Sequence, residues 1–268
     1  MKFMILTLLL CFSTFSFAWG PTGHRTVGDI AQKYLKKGVH RKITKILDGQ
    51  SLSRVSNWPD KIRSDPENYA HTYTWHYTDW PNGVSEYDPH NNSGSIITST
   101  DQQIKILRDK KSSKAEKAFA IKFIVHLIGD MHMPLHIGNG KDFGGSSCKV
   151  LFHKKPTNLH KLWDENMLEF TQLSFTELSQ YITKIDKKTL RSYKKGHLLD
   201  WAKESKIIRE TVYPKNFLDK KYCDRDNPLP MDQWPQLGYE YSYKFIPVIE
   251  KRLLQAGIRL AKILNKSF

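Results

Sequence analysis

Along most of the chain apolar residues recur at intervals of three and four rather than two, which predicts amphipathic helices. Val27, Ile30, Ala31, Tyr34 and Leu35 mark a first helix. Ile104 and Leu107, then Ala118, Phe119, Ile121, Ile124, Val125 and Ile128, mark two more. Further helices are expected over residues 159–170, 198–212 and 239–264. The stretch 79–98, rich in Pro, Gly, Asn and Ser, reads as a surface loop, and 142–152 leaves room for at most a short β-hairpin. No linker, charge block or internal repeat divides residues 19–268, so the pattern predicts one all-α, mainly helical domain.

The first eighteen residues follow another rule. Lys2 supplies a positive start, Met4 to Phe17 a short apolar run, and Ser16-Phe17-Ala18 the small residues that signal peptidase reads at −3 and −1. Cleavage after Ala18 is therefore expected, with export to the periplasm or the medium. Acylation of Cys11 would need a small residue before it, and Leu10 stands there. No second apolar run approaches membrane length, so no stable membrane association of the mature chain is expected. Cys148 and Cys223 remain after the leader, an even pair for which a disulfide is expected in an oxidising compartment, two reduced thiols being the alternative.

A 39% apolar content with seven Trp, twelve Tyr and thirteen Phe is enough for a core and excludes a disordered chain. The formal charge of +15 would draw a polyanion to the surface, which favours nucleic acid or an anionic membrane as partner. Runs such as Lys110-Lys111, Lys187-Lys188 and Lys194-Lys195 are equally compatible with solvated helix faces.

The candidate chemistry lies in His and Asp. His126 and Asp130 are four apart on a helix that Pro134 stops, so both project from one face, and His136 follows the proline. His160 and Asp164 repeat the spacing. Helical proteins build metal sites in their interiors from such pairs, and N/O donors without thiolate suit zinc or another transition metal, although one pair alone is more often a surface ion pair. Cleavage after Ala18 would leave the amino group of Trp19 five residues before His24, a further chelating possibility. Asp60 after Trp58-Pro59 also fits a helix N-cap, and His76 a hydrogen-bonded core histidine. His40, His71, His90, His132, His153 and His197 show no such spacing and read as structural or surface residues.

The ordered set of Trp19-Gly-x-x-Gly-His24, Trp58-Pro-Asp60, His76-Tyr-x-Asp79, His126-x-x-Gly-Asp130, Pro134-Leu-His136, Gly144-Gly145 and Asn158-Leu-His160-x-x-Trp-Asp164 resembles the S-one/P-one family of exported trinuclear zinc nucleases. The resemblance implies a mainly helical fold with three zinc ions at the bottom of a cleft. One ion would be held by Asp60, His76, His126 and Asp130, and a second by His136, His160 and Asp164. The third would be held by the amine and carbonyl of Trp19, by His24 and by Asp130 as a bridge. It further implies Asp60 as the group that orients or deprotonates the attacking water and Arg63 as a phosphate contact. Tyr77 and Phe143 would stack on a nucleobase whose edge Asp79 would bind. The implied substrates are single-stranded DNA, RNA and nucleotides, with no obligate protein partner. Phe143 replaces a smaller apolar residue usual in the family, and Ser146 a common asparagine. A zinc phospholipase C, which shares the fold, and a silent zinc or nucleic-acid binding protein are the alternative readings. The short gap from Trp19 to His24 and an aspartate at 164 weigh against the first, and the complete ligand set against the second.

Overall fold

The computed structural model describes residues 19–89, 94–214 and 221–268; the expected leader, 1–18, and His90 lie outside them. Helix α1 (Pro21–Lys33) starts with a proline, which has no N–H to leave unpaired in the first turn. Then come α2 (Lys37–Ile46), the single turns α3 (Leu52–Val55), α4 (Trp58–Lys61) and α5 (Pro66–Tyr69), and a 3-10 segment, Ala70–His76. Two long helices follow, α6 (Ile96–Arg108) and α7 (Lys114–His132). Beyond a 3-10 turn, Pro134–His136, lie α8 (Leu159–Lys161), a π-helical turn over Leu162–Asn166, and α9 (Met167–Phe170). The chain ends with α10 (Phe175–Ile182), α11 (Lys187–Tyr193), α12 (Leu198–Val212) and α13 (Tyr239–Ser267).

Helix α7 is the axis of the molecule, packed against α1, α2, α3, α4, α6, α12 and α13. Its start is fixed by a capping box: the Glu116 amide donates to Ser113 Oγ at 3.2 Å and the Ser113 amide to Glu116 Oε2 at 2.7 Å. From Phe123 to His132 every residue is buried, the signature of a helix enclosed on all sides. Its C-terminal end meets two cations of α13. The Arg252 Nε–H donates to the His132 carbonyl at 3.1 Å, and Arg259 donates to His132 Nε2 at 2.9 Å, while His132 Nδ1–H donates to Ile128 O. Burial and the two guanidiniums hold His132 neutral, well below the usual histidine range. Glu204 of α12 balances both arginines, with N···O distances of 2.6 Å to each.

Strand structure is sparse. β1 (Thr78–Asp79) pairs in parallel with β2 (Ile137–Gly138); β3 (Lys149–Phe152) and β4 (Lys155–Asn158) form an antiparallel hairpin, and β5 (Gln236–Leu237) adds to β3 in parallel. The hairpin expected within 142–152 thus begins at Lys149 and ends at Asn158, turning through His153 and Lys154, both at positive φ. Residues 142–147 are instead a turn, closed by Ser147 N–H to Asp142 O at 3.2 Å. The Cys148–Cys223 disulfide forms, tying the start of β3 to a segment 75 residues later.

Two glycines set how closely α1 approaches its neighbours. A Cβ on Gly257 of α13 would lie 2.5 Å from Ile30 Cβ, and one on Gly28 would lie 2.7 Å from the Ser53 amide nitrogen. Gly257→Ala is expected to lower stability by about 1–3 kcal/mol, because Ile30 is buried and a backbone shift is the only relief. Urea unfolding checks this, and an unchanged midpoint would mean that α1 and α13 are not held in contact there.

Candidate metal centre

Three elements bring one set of side chains to the middle of α7. Asp60 comes from the turn of α4, His76 from the end of the 3-10 segment, and His126 and Asp130 from successive turns of α7. His126 Nε2 lies 3.0 Å from His76 Nδ1, 3.2 Å from Asp130 Oδ2 and 3.5 Å from Asp60 Oδ1; His76 Nδ1 lies 3.3 Å from Asp130 Oδ2 and 3.8 Å from Asp60 Oδ1. The other oxygen of Asp130 faces His24 of α1, at 3.2 Å from Nε2, and the His24 and His126 rings stack with centroids 3.9 Å apart. Asp130 therefore divides its two oxygens between two groups of donors. A third group forms beside the π-helical turn: His160 Nε2 is 2.9 Å and His136 Nε2 is 3.8 Å from Asp164 Oδ2.

These groups fit metal ions. Four tetrahedral donors at 2.0–2.1 Å from one ion lie roughly 3.3 Å from each other, within the spread observed around His76 and His126. The far nitrogen of each of three rings is tied to a backbone carbonyl: His126 Nδ1–H donates to Ser56 O at 2.8 Å, His136 Nδ1–H to His76 O at 2.6 Å, and His160 Nδ1–H to Gly144 O at 2.7 Å. That bond fixes the tautomer and leaves an Nε2 lone pair aimed at the centre. The Nε2 atoms of His24, His136 and His160, and both oxygens of Asp130 and of Asp164, are buried without a hydrogen bond of good geometry. Polar atoms so enclosed carry a desolvation cost that a cation would offset.

The electrostatics agree. Burial lowers the pKa of His24, as does neighbouring His126, and burial also lowers that of His76. Burial pulls His126 the same way, but the Asp130 and Asp60 carboxylates outweigh it and hold a proton on that ring well above the usual range. Burial would raise Asp60, yet the His126 charge beside it brings its carboxyl down to about 2. Burial pulls His136 down as well, but Asp164 and Asp130 outweigh it and raise it to about 9. Protons on His126 and His136 thus balance the buried carboxylates, and a bound cation would displace them.

The remaining residues surround this floor. Trp19 is fully buried; its indole N–H donates to Gly129 O at 2.8 Å and the Gly20 amide to Asp164 O at 2.9 Å, so the start of the described chain lies between the donor groups. A cleft of about 870 Å³ opens above His76, His136 and His160 and has Arg63, Tyr77, Asp79 and Phe143 on its walls. The Arg63 guanidinium lies over the Tyr73 ring, 5.5 Å from its centroid. Tyr77 is 37% exposed and Phe143 65% exposed. Asp79 accepts the Gly140 amide at 3.2 Å, and a Cβ on the adjoining Gly138 would lie 2.3 Å from its Oδ1.

Sequence patterning missed the residues that hold this wall. Arg209 of α12, fully buried, donates to the carbonyls of Trp80, at 3.0 Å, Ile137 and Gly138, pinning β1 and β2 side by side. Asp142 accepts from the Gly145 amide at 3.0 Å, Asn139 at 2.8 Å and the Tyr213 hydroxyl at 2.7 Å, fixing the turn that carries Phe143. Both look like ordinary charged surface residues in the sequence; only Asp142, two residues before Gly144-Gly145, had a local signal, since a short polar side chain before a glycine pair commonly organises a turn.

Residues 19–268 match the family model described as S1/P1 Nuclease. The chain belongs to the S1/P1 nuclease family. It is 29% identical to Endonuclease 4 of Arabidopsis thaliana over all of this chain and 94% of that protein. It is equally 29% identical to Nuclease S1 of Aspergillus oryzae, over 96% of this chain and 94% of that one, and to Nuclease P1 of Penicillium citrinum over 56% and 58%. Membership of the S1/P1 nucleases makes the chain a hydrolase, and its three His/Asp groups resemble a multinuclear metal site.

Because Asp130 faces two of the groups and Asp164 only the third, Asp130→Asn is expected to lower bound metal by more than one equivalent and Asp164→Asn by about one. Elemental analysis of dialysed protein measures this. Equal losses from the two variants would refute a shared Asp130.

Proposed function

We propose that the chain is an exported zinc-dependent endonuclease that cuts single-stranded DNA and RNA to 5′-phosphorylated products and also removes 3′-phosphates from nucleotides. The observation that carries this reading is the three converging His/Asp groups on the floor of a cleft walled by exposed aromatic rings. Asp60, His76, His126 and Asp130 would hold one ion, and His136, His160 and Asp164 another. A third would take the amine and carbonyl of Trp19, with His24 and Asp130. Zinc at such sites supplies Lewis acidity at the phosphate and makes water acidic enough to ionise near neutral pH. Export and the Cys148–Cys223 disulfide belong together, since the bond persists in an oxidising compartment.

The chain's own groups do the rest. Asp60, held ionised, orients the attacking water and accepts its proton. Arg63, projecting into the cleft, donates a planar fork of N–H groups to the phosphate as charge spreads over its oxygens. Tyr77 and Phe143 present ring faces to a base, worth about 1–3 kcal/mol per stacked base and indifferent to base identity, while Asp79 accepts from the base edge. A duplex hides those faces, so single strands are preferred. The +15 charge adds a salt-dependent attraction for long polyanions.

The test is hydrolysis of single-stranded DNA by protein beginning at Trp19, with chelator and zinc add-back, beside phosphatidylcholine and a form extended before Trp19. Zinc-dependent release of 5′-nucleotides, intact lipid and one fewer zinc in the extended form are expected. Lipid cleavage alone, or fully metallated protein without activity, would overturn the reading. Tyr77→Ala should weaken nucleotide affinity roughly tenfold at unchanged zinc content, as loss of one stacking face implies; undiminished affinity, measured by calorimetry, would return Tyr77 to a packing role.

A further inference from the structure

The wall of the cleft opposite α4 comes from a segment that no part of the reading above uses. Residues Asp224, Arg225 and Pro228 line the cleft together with Phe143, Lys141 and Lys149. The disulfide through Cys223, two residues before Arg225, joins this segment to Cys148 at the base of β3. Phe143 is unusual twice over: it is a large apolar side chain left 65% exposed, and its backbone sits at φ 53°, where L-residues are rare. Arg225 lies over its ring, with the guanidinium carbon 5.2 Å from the centroid. Asp224 Oδ1 accepts the amides of Asp226 and Asn227, which holds that carboxylate in a turn of its own segment.

We infer that Arg225, stacked on Phe143, binds the backbone of a nucleotide next to the one whose phosphate reacts, and so favours oligonucleotides over small phosphate esters. A guanidinium on an aromatic face keeps its N–H edges free for phosphate oxygens while it stiffens the ring for a base on the other side. The cleft holds about 870 Å³, and Lys141, Lys149 and Arg225 line it together with Arg63, so it presents four cations to a polyanion. The segment's attachment through Cys148 places that charge at a fixed distance from the metal floor, since Leu159 N–H donates to Cys148 O at 2.9 Å directly before His160.

This inference rests on the nuclease reading, and the test separates the two. Arg225→Ala is expected to lower kcat/KM for a single-stranded hexanucleotide roughly tenfold through KM, while hydrolysis of a small chromogenic phosphodiester changes less than twofold. Binding of a non-cleavable phosphorothioate hexanucleotide, followed by fluorescence anisotropy, should weaken by the same factor, and the salt slope should fall by about one phosphate contact. Arg225→Lys should restore the salt slope and only part of the affinity, because it keeps charge and loses the planar stack. Equal losses on both substrates, or none on either, would overturn the inference. A protein that binds the phosphorothioate through Arg225 but cuts no strand would sink the nuclease reading alone.

Discussion

Everything in this fold answers to the burial of Asp130 and His126 on a helix with no exposed side at that level. Unpaired charges in such a place are costly, and the fold supplies partners from all directions: His24 from α1, Asp60 from α4, His76 from the 3-10 segment. Those partners can reach α7 only if the surrounding helices approach closely, which is why small residues recur on the contacts. A Cβ on Gly129 would lie 2.9 Å from His24 Nδ1, so the His24 ring occupies the place of a missing side chain one residue before Asp130. Packing and the placing of the donor groups are thus a single constraint here, and a methyl group in the wrong place would move one of them.

The core has a second charged centre, and the contrast is instructive. Glu204 of α12, Arg252 and Arg259 of α13 and His132 of α7 form a cluster whose arginines and histidine are buried, yet their donors and acceptors are matched within the protein. Nothing there asks for a ligand. At the metal centre the acceptors outnumber the donors, lone pairs from several rings aim at common points, and the buried oxygens of Asp130 and Asp164 lack good hydrogen bonds. Burial of charge by itself is therefore no sign of function in this molecule; burial with unmatched acceptors is.

How far the sequence spoke depended on whether a residue acts through local spacing. His126 with Asp130 and His160 with Asp164 were legible because four residues on a helix bring side chains onto one face, and the long helices because their apolar periodicity is regular. The π-helical turn through Asp164 was not, since the spacing is the same whether one turn is wound loosely or not. Short helices such as α10 and α11 also escaped, having too few turns to show a period. His24, Asp60 and His76 carry no local pattern, and only the ordered motif set tied them to one site; their positions around α7 are a property of the tertiary fold. Arg209 was invisible for the opposite reason: it acts mainly on backbone carbonyls, which no side-chain pattern encodes, and Asp142 had only the glycine pair after it as a signal.

The two halves of the site consequently differ in how they are built. The floor is rigid, with each donor residue on or next to a helix and three of the imidazoles locked by a carbonyl on the far nitrogen. The wall is made of turns: Phe143 and the two glycines after it all adopt positive φ, and Gly140 does too. Such backbone holds its shape only under external restraint, and Asp142, Arg209 and the disulfide each supply some. The hydrogen bond from His160 to Gly144 O links the halves, because the same glycine that follows Phe143 in the turn also orients the His160 ring. A substrate that pressed on Phe143 would press on His160 through one residue. Sequence change on the wall is therefore tolerable where it alters an exposed side chain such as Phe143, and far less so where it alters the turn that carries it.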